Sequence, residues 1–434
     1  MATLTTPTEP SSPQSPEVRR LLLSVVVVAG LAELAYSVMN ISAMPVYLMF
    51  GLNYGASLVA AIGTAFLIAE ALTKSPLGAL GDRIGRKWLI VGGPVISVFT
   101  ALLTLVVRAP ISFVVLRVLD GLGAAALWPS ALALISDVTP PERRSQAMSM
   151  FNVTYLIGVA FGPQIGGLVD DAARYLMQTR GIDLPLKSPY EASFYLVSLL
   201  FAITALTALI RIPDIRIHHR REDGELAAHP TVKEMLASIR RIPETLAIAF
   251  VTFFGIGLIM LIIKIFAMQQ FNISERGFGA LLLPPALLIA FASIKLGTLG
   301  DKIGNIKALR LGLGLCTASM WAILLLRTVW SLIIVGSLIG IGFVIAFPAW
   351  MAYITTNCDS RHRGAVVGAV GTAQGVGALL GAPLGGVLYQ YVGLHIGRIT
   401  ISNHYMPFVA CTLCLGIAWL LSIFTVRDKP QRMI

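Results

Sequence analysis

The chain is 434 residues long, 56% hydrophobic and only 13% charged, with a mean hydropathy of +0.79 and a formal net charge of +11. A soluble chain carries about 25% charged residues, so an ordinary soluble globular protein is excluded and an integral membrane protein is indicated. A surplus of Lys and Arg would suit a nucleic-acid binder, but its placement argues against one. Arg19, Arg20, Arg83, Arg86, Lys87, Arg143, Arg144, Arg220, Arg221, Arg240, Arg241, Lys302, Arg361 and Arg363 fall on one side of the apolar runs. Fewer fall on the other: Arg108, Arg174, Arg180, Lys187, Arg276, Arg327 and Arg398. This asymmetry follows the positive-inside rule and predicts two cytoplasmic termini on a multi-pass protein of the cell membrane.

In chain order, residues 1–19 form a Thr/Ser/Pro-rich tail, expected to be disordered and cytoplasmic, with no cleavable signal peptide. Apolar runs near 20–49, 55–80, 87–107, 111–136, 145–169 and 191–211 are each long enough to cross about 30 Å of hydrocarbon as helix. They make an expected N-terminal six-helix bundle over 20–211. Its outer connection, 170–190, is long and carries Asp170, Asp171 and Pro185; the sequence assigns it no role. A cytoplasmic linker, 212–244, follows. Its His218-His219-Arg220-Arg221 run reads as a solvated loop rather than a metal site. Val232, Met235, Leu236 and Ile239 then recur at helical spacing and predict a short interfacial helix. Runs near 245–271, 277–299, 307–327, 329–355, 363–390 and 403–425 make the C-terminal bundle, 245–426, before a cytoplasmic tail, 427–434.

The four cysteines, Cys316, Cys358, Cys411 and Cys414, give no extracellular disulfide framework. Cys411 and Cys414 have metal-like spacing but lie in an apolar run with no second ligand pair, so they read as small buried residues. No metal and no cofactor is expected.

The segment Gly78 to Gly167 recurs 219 residues later, a repeat that implies two copies of one structural unit. Gly78-Ala-Leu-Gly81-Asp82-Arg83-Ile-Gly85 returns as Gly297-Thr-Leu-Gly300-Asp301-Lys302-Ile-Gly304. Arg108 maps to Arg327, Gly121 and Gly123 to Gly340 and Gly342, Pro129 to Pro348, Arg144 to Arg363, and Gly158, Gly162 and Gly166-Gly167 to Gly377, Gly381 and Gly385-Gly386. Glycines allow a tight turn and close backbone approach, while Arg83, Arg86 and Lys87 suit an anionic cytoplasmic surface.

Gly78 to Lys87 resembles the signature between helices two and three of the major facilitator superfamily, with a weaker copy where that family's second half should carry it. The second copy departs from the pattern with Asn305 in the place of Arg86. Leu116-Arg117-Val-Leu-Asp120-Gly121-Leu-Gly123 resembles the family's Arg/Gly-Gly motif. Gly158-Val-Ala-Phe-Gly162-Pro163-Gln-Ile-Gly166-Gly167 resembles the motif of its proton-driven exporters; in the second copy the proline is displaced to Pro383. The resemblance implies an all-α integral membrane protein of twelve helices in two pseudo-symmetric six-helix bundles. It further implies a transporter working by alternating access, similar to the drug:proton antiporter branch. The bundles would rock about a central site between spans one, four, seven and ten. Gly78, Asp82, Arg83, Gly85, Arg86, Asp137, Gly158, Gly162, Pro163, Gly166, Gly167 and Asp301 are the expected gating scaffold, with Asp137 either pairing with Arg86 or remaining a solvated acid.

Subtracting one copy from the other isolates the charges inside the spans, which are costly in hydrocarbon and functional candidates by default. Glu33 faces Thr252, Glu70 faces Ile289, Arg117 faces Gly336 and Asp120 faces Ile339. Lys264, opposite Pro45, is the expected lone exception in the second half. Glu33 begins a helical stripe with Tyr36, Ser37 and Asn40, at a depth comparable with Arg117. Three readings stand: Glu33 carries a proton that Arg117 tunes, Asp120 is the carrier, or the charges are a static ion pair between spans one and four. Asp120, one turn from Arg117, can also partner that arginine itself. Glu70 is placed at the inner mouth or snorkelling to water, and Lys264 is expected to snorkel toward the outer interface.

Tyr36, Asn40, Trp128, Phe254, Phe266 and Trp350 are the expected substrate-lining residues, suited to a hydrophobic or amphipathic small molecule. The expected partners are that substrate, protons and the bilayer, for a monomer that binds no nucleic acid. A lipid or lysolipid mover and a solute importer are the alternatives within the fold. An ATP-driven pump lacks its phosphate-binding loop. A membrane-embedded enzyme is disfavoured, since no His/Asp/Ser or metal constellation recurs at membrane depth.

Overall fold

Within hydrocarbon every backbone N–H and C=O must be satisfied by the protein, which leaves helices or closed barrels. The computed structural model describes residues 16–139, 144–183, 185–214, 243–296, 299–325, 328–356, 363–396 and 399–426, and it is helical almost throughout. The expectations for the tail up to residue 15, the linker stretch 215–242 with its interfacial helix, and the tail 427–434 lie outside the described residues.

Twelve long helical segments occupy the positions expected from hydropathy. In the first half they are α1 (Pro16–Ser37), α2 (Ala56–Ile84), α3 (Arg86–Thr104), α4 (Pro110–Val138), α5 (Arg144–Arg174) and α6 (Ala192–Arg211). Helix α1 continues as far as Gly51 through π-helical turns at Val38–Ala43 and Tyr47–Gly51. In the second half they are α7 (Pro243–Met260), α8 (Glu275–Leu296), α9 (Asn305–Leu325), α10 (Val329–Thr356), α11 (Arg363–Tyr391) and α12 (Met406–Phe424). Helix α7 breaks after Met260 and resumes as Ile263–Phe271. Ten of the twelve are long and apolar enough to span a membrane; α5 and α11, which carry the glycine-rich motif, are the other two. Among the described residues the strands form one hairpin, β1 (Leu394–Ile396) with β2 (Ile399–Ile401), in the connection before α12.

The 219-residue repeat is repeated in packing. In the first half α1 packs on α5 and α6, α2 on α4, and α3 on α4 and α6. In the second half α7 packs on α11 and α12, α8 on α10, and α9 on α10 and α12. The halves meet where α5 packs on α8 and α2 on α11. The matched tight turns at Gly85 and Gly304 take φ of 98° and 92°, a left-handed region that side-chain-bearing residues enter at a cost. The matched crossings also share a geometry: a Cβ at Gly123 would lie 2.8 Å from the Gly93 carbonyl, and one at Gly342 2.7 Å from the Gly312 carbonyl. Small residues here let helix backbones touch, the main source of packing in lipid.

A side chain at such a crossing must force the helices apart, at a cost of about 1–3 kcal/mol. Gly342→Val should therefore lower the thermal unfolding midpoint of the detergent-purified protein. Gly92→Ala, where an added Cβ meets nothing within 4 Å, should leave it unchanged or slightly raised.

Candidate functional site

Arg117, on α4, is 1% exposed in the first half's interior. A guanidinium in that setting has five donors to satisfy and no water to help. One donor reaches Asp120 Oδ2 at 2.6 Å, one turn along the same helix, and another bonds the Asn40 side-chain oxygen from α1. Its planar face lies over the Phe66 ring, 4.6 Å from the centroid, a cation–π placement. Asp120 Oδ1 in turn accepts from Ser97 at 2.5 Å and Thr100 at 3.4 Å on α3, and the Ser97 hydroxyl meets the Tyr36 hydroxyl at 3.0 Å. Three helices are thus tied by one polar network. Asp120 is Arg117's partner, and no Arg117–Glu33 ion pair forms among the described residues.

Glu33 stands apart from that network. It faces a cavity of about 320 Å³ shared with Tyr36, Asn40, Arg117, Trp128, Tyr155 and Glu70. The Tyr155 hydroxyl of α5 stands beside it on the cavity wall. The walls are aromatic: Tyr36 and Trp128 have ring centroids 6.4 Å apart, and Trp128 and Tyr155 5.7 Å. Met260 and Leu261, at the α7 break, close the cavity from the second half. Glu70 lines the cavity as well, and its carboxylate pairs with the half-exposed Lys74 at 2.7 Å.

The glycine-rich motif of α5 lies directly behind this stripe. A Cβ at Gly158 would sit 2.8 Å from Glu33 Cγ, one at Gly162 2.5 Å from Ser37, and one at Gly166 2.6 Å from Ser42 Oγ. The motif is therefore the surface on which the polar face of α1 rests. In the second copy Gly377, the counterpart of Gly158, makes the corresponding approach to α7, 2.5 Å from a built Cβ to the Phe250 carbonyl.

Of the expected lining residues, the structure brings Tyr36, Asn40 and Trp128 to the cavity together with Glu33 and Arg117. It does not bring the other three. Phe266 is buried in an aromatic cluster with Phe271, Tyr405 and Phe408. Phe254 stacks on Phe250. Trp350 lines a separate small apolar pocket with Thr252 and Gln374. Among the gating residues, Arg86 and Asp137 form an ion pair between α3 and α4. Pro163 lies within a continuous α5. Gly78 approaches Pro129, 3.7 Å from a built Cβ. The side chains of Asp82, Arg83 and Asp301 lie outside the described residues.

Lys264 requires a correction. It does not snorkel: it is 2% exposed, and its ammonium bonds Glu275 Oε1 at 2.5 Å and Ser42 Oγ at 2.6 Å. Buried charge is accordingly not confined to the first half, because Glu275 at the start of α8 is fully enclosed. Hydropathy had begun that span at 277 and ended span five at 169, so Glu275 and Asp170 fell outside it. Both helices run on and bury them. Tyr155 and Ser97 were also missed, since a lone hydroxyl in an apolar helix carries no signal until its partner is located.

The comparisons agree with this architecture. The Major Facilitator Superfamily model matches residues 25–326 and 245–433. Multidrug resistance protein 2 of Bacillus subtilis is 24% identical over 361 residues, covering 81% of this chain and 84% of its own. The probable actinorhodin transporter of Streptomyces coelicolor is 23% identical over 403 residues, covering 81% and 69%. The crystal structure of a bacterial homologue of the human lysosomal transporter Spinster, inward-facing and unoccupied, superposes with a TM-score of 0.75 at 18% identity, covering 95% of this chain and 98% of that one. The crystal structure of the nucleoside transporter NupG gives 0.69 at 14% identity, covering 93% and 97%. The chain belongs to the major facilitator superfamily. It is a multi-pass membrane transporter and not an enzyme.

Removing one member of a buried ion pair strands the other, at about 3–5 kcal/mol, whereas replacing both by apolar groups is often neutral. Arg117→Met should lower the thermal midpoint markedly through the stranded Asp120. The double variant Arg117→Met/Asp120→Leu should recover much of that loss in the same melting experiment.

Proposed function

We propose that the chain is a proton-coupled exporter of hydrophobic or amphipathic small molecules in the cell membrane. It works as a monomer by alternating access, with both termini cytoplasmic. The observation that carries this reading is the position of Glu33: a carboxyl on a cavity of aromatic and apolar walls, beside Tyr155 and away from the Arg117 guanidinium. Asp120, with its oxygens engaged by Arg117, Ser97 and Thr100, serves as the anchor that holds Arg117. Glu33 has no such engagement and is available to exchange a proton or to meet a cationic substrate. Glu70 and Lys74 continue the polar surface of α2 toward the Arg86 end, a route for protons and substrate to the cytoplasm. The names of the bacterial relatives, a multidrug resistance protein and a probable actinorhodin transporter, support a drug-like cargo.

In the cycle, substrate enters from the cytoplasmic end and competes with the proton on Glu33. The halves then rock, so that the same carboxyl faces alternate sides. Arg117 stays in its network and sets the field of the cavity in both states. The Gly158, Gly162 and Gly166 face of α5 permits α1 to keep its place through the movement. The Arg86–Asp137 pair holds α3 and α4 together at the cytoplasmic end.

Proteoliposomes with an imposed pH gradient and a panel of lipophilic cations test this reading. Wild-type protein should release protons on substrate addition and drive substrate uphill. Glu33→Gln, reconstituted at equal density, should lose both while retaining exchange down the substrate gradient. Proton-driven transport retained in Glu33→Gln would overturn the role of Glu33. Transport indifferent to the pH gradient would instead favour a lipid mover or a facilitator.

A further inference from the structure

A second ionic centre lies between the halves, at the end opposite Arg86. Lys264 from the second half bonds Ser42 of α1 and Glu275 of α8, as described above. On the other side of Glu275 stands Asp170 from the last turns of α5, also fully buried. Asp170 Oδ1 accepts from the Ser193 backbone N–H at 3.0 Å and hydroxyl at 2.8 Å. Gly167, one turn before Asp170 on α5, has a built Cβ 2.7 Å from the Glu275 backbone, which brings the Asp170 and Glu275 carboxyls together. One oxygen of each, Asp170 Oδ2 and Glu275 Oε2, is buried without any donor.

Ionised carboxylates only accept hydrogen bonds, so two facing carboxyl oxygens can bond only if one carries a proton. Charge gives the same answer. With both acids ionised and Lys264 protonated the centre holds a net −1 out of water, an uncompensated buried charge. One shared proton makes it neutral and satisfies both orphan oxygens. The surrounding charges are engaged elsewhere. Asp171 pairs with Arg174 at 3.2 Å, Glu191 with Arg108 at 3.4 Å, and Arg276 is exposed.

The centre also sits at a seam. Gly167 packs on the Glu275–Arg276 backbone, 2.7 Å from a built Cβ. Ser57 on α2 donates to the Gln390 side chain of α11 at 2.8 Å near the same end. These contacts hold the halves together at this end. Separating them would expose Asp170 and Glu275 to water and remove the need for the shared proton.

We propose that Asp170 and Glu275 form a proton-binding site shared between the halves, and that closing this end of the transporter takes up one proton. The site is distinct from Glu33. It rests on the rocking of the halves in the proposed cycle, but not on Glu33 as carrier. The sign follows from linkage: the closed state binds the extra proton, so acid favours closure. Over the range where the open state is ionised, the closed-to-open ratio should fall by up to tenfold per pH unit.

The test is a distance measurement across this end in nanodiscs. Spin labels are placed at Ile182→Cys and Tyr391→Cys, both exposed, in a chain whose four native cysteines are replaced. The wild-type background should shift from a short to a long distance as pH rises. Asp170→Asn supplies a permanent amide donor in place of the proton, and should stay closed at every pH. Glu275→Gln should likewise lose the pH dependence, which keeps the test open if one variant folds poorly. Glu33→Gln should keep the wild-type titration of this distance even as proton-coupled transport fails. A distance independent of pH in wild type, a wild-type titration retained in Asp170→Asn, or closure driven by sodium at fixed pH would each overturn the proposal.

Discussion

A charge placed in hydrocarbon must find its compensation inside the protein, and the positions of the helices follow from how this chain meets that demand. Arg117 is the clearest instance. Its donors bind it to α1 through Asn40 and to its own helix through Asp120, and Asp120 passes the connection on to α3 through Ser97 and Thr100. The register of three helices is set by one guanidinium. Apolar packing alone would set it less sharply, since lipid tails compete with Leu and Val for the same contacts.

Two ionic centres result, and they divide the work. The Arg117 centre lies within one half and can stay intact while the halves move. The Lys264–Glu275 centre draws groups from both halves, so it cannot survive their separation unchanged. Glu33 belongs to neither. A carboxyl free of strong partners, on a cavity wall, is suited to a changing load, whereas a carboxyl with its oxygens engaged is suited to holding position.

Much of this was legible in the sequence, and the losses have a common cause. The twelve helices and the pseudo-symmetry followed from hydropathy and the 219-residue offset, because both are properties of the chain read along its length. Glu33, Tyr36, Asn40 and Arg117 were legible as neighbours on one cavity because a charge in an apolar run stands out, and helical spacing assigns its neighbours to a face; Trp128 was placed with them by the resemblance. Phe254, Phe266 and Trp350 went astray because facing in an apolar, nearly featureless helix is decided by packing partners far away in sequence. Asp170 and Glu275 were lost for the opposite reason. A hydropathy window ends at the first charge it meets, while a helix can carry that charge a turn inward and bury it. Lys264 read as snorkelling because its stem is long enough to reach water; its partners, 11 and 222 residues away, lie nearer.

The adjacent glycines of α5 and α11 have a mechanical consequence. Gly166 rests on Ser42 within its own half, while Gly167 rests on the backbone of Glu275 in the other; Gly385 and Gly386 repeat this with Leu258 and Ala56. Each of these helices is therefore smooth on two sides at once, like a roller between two plates. Where side chains interdigitate, movement requires them to withdraw and repack. Where a bare glycine backbone meets backbone or a small side chain, one surface can turn on another with little to unlock. In the proposed cycle, friction at these contacts is then small, and the ionic centres are left to hold or release the halves.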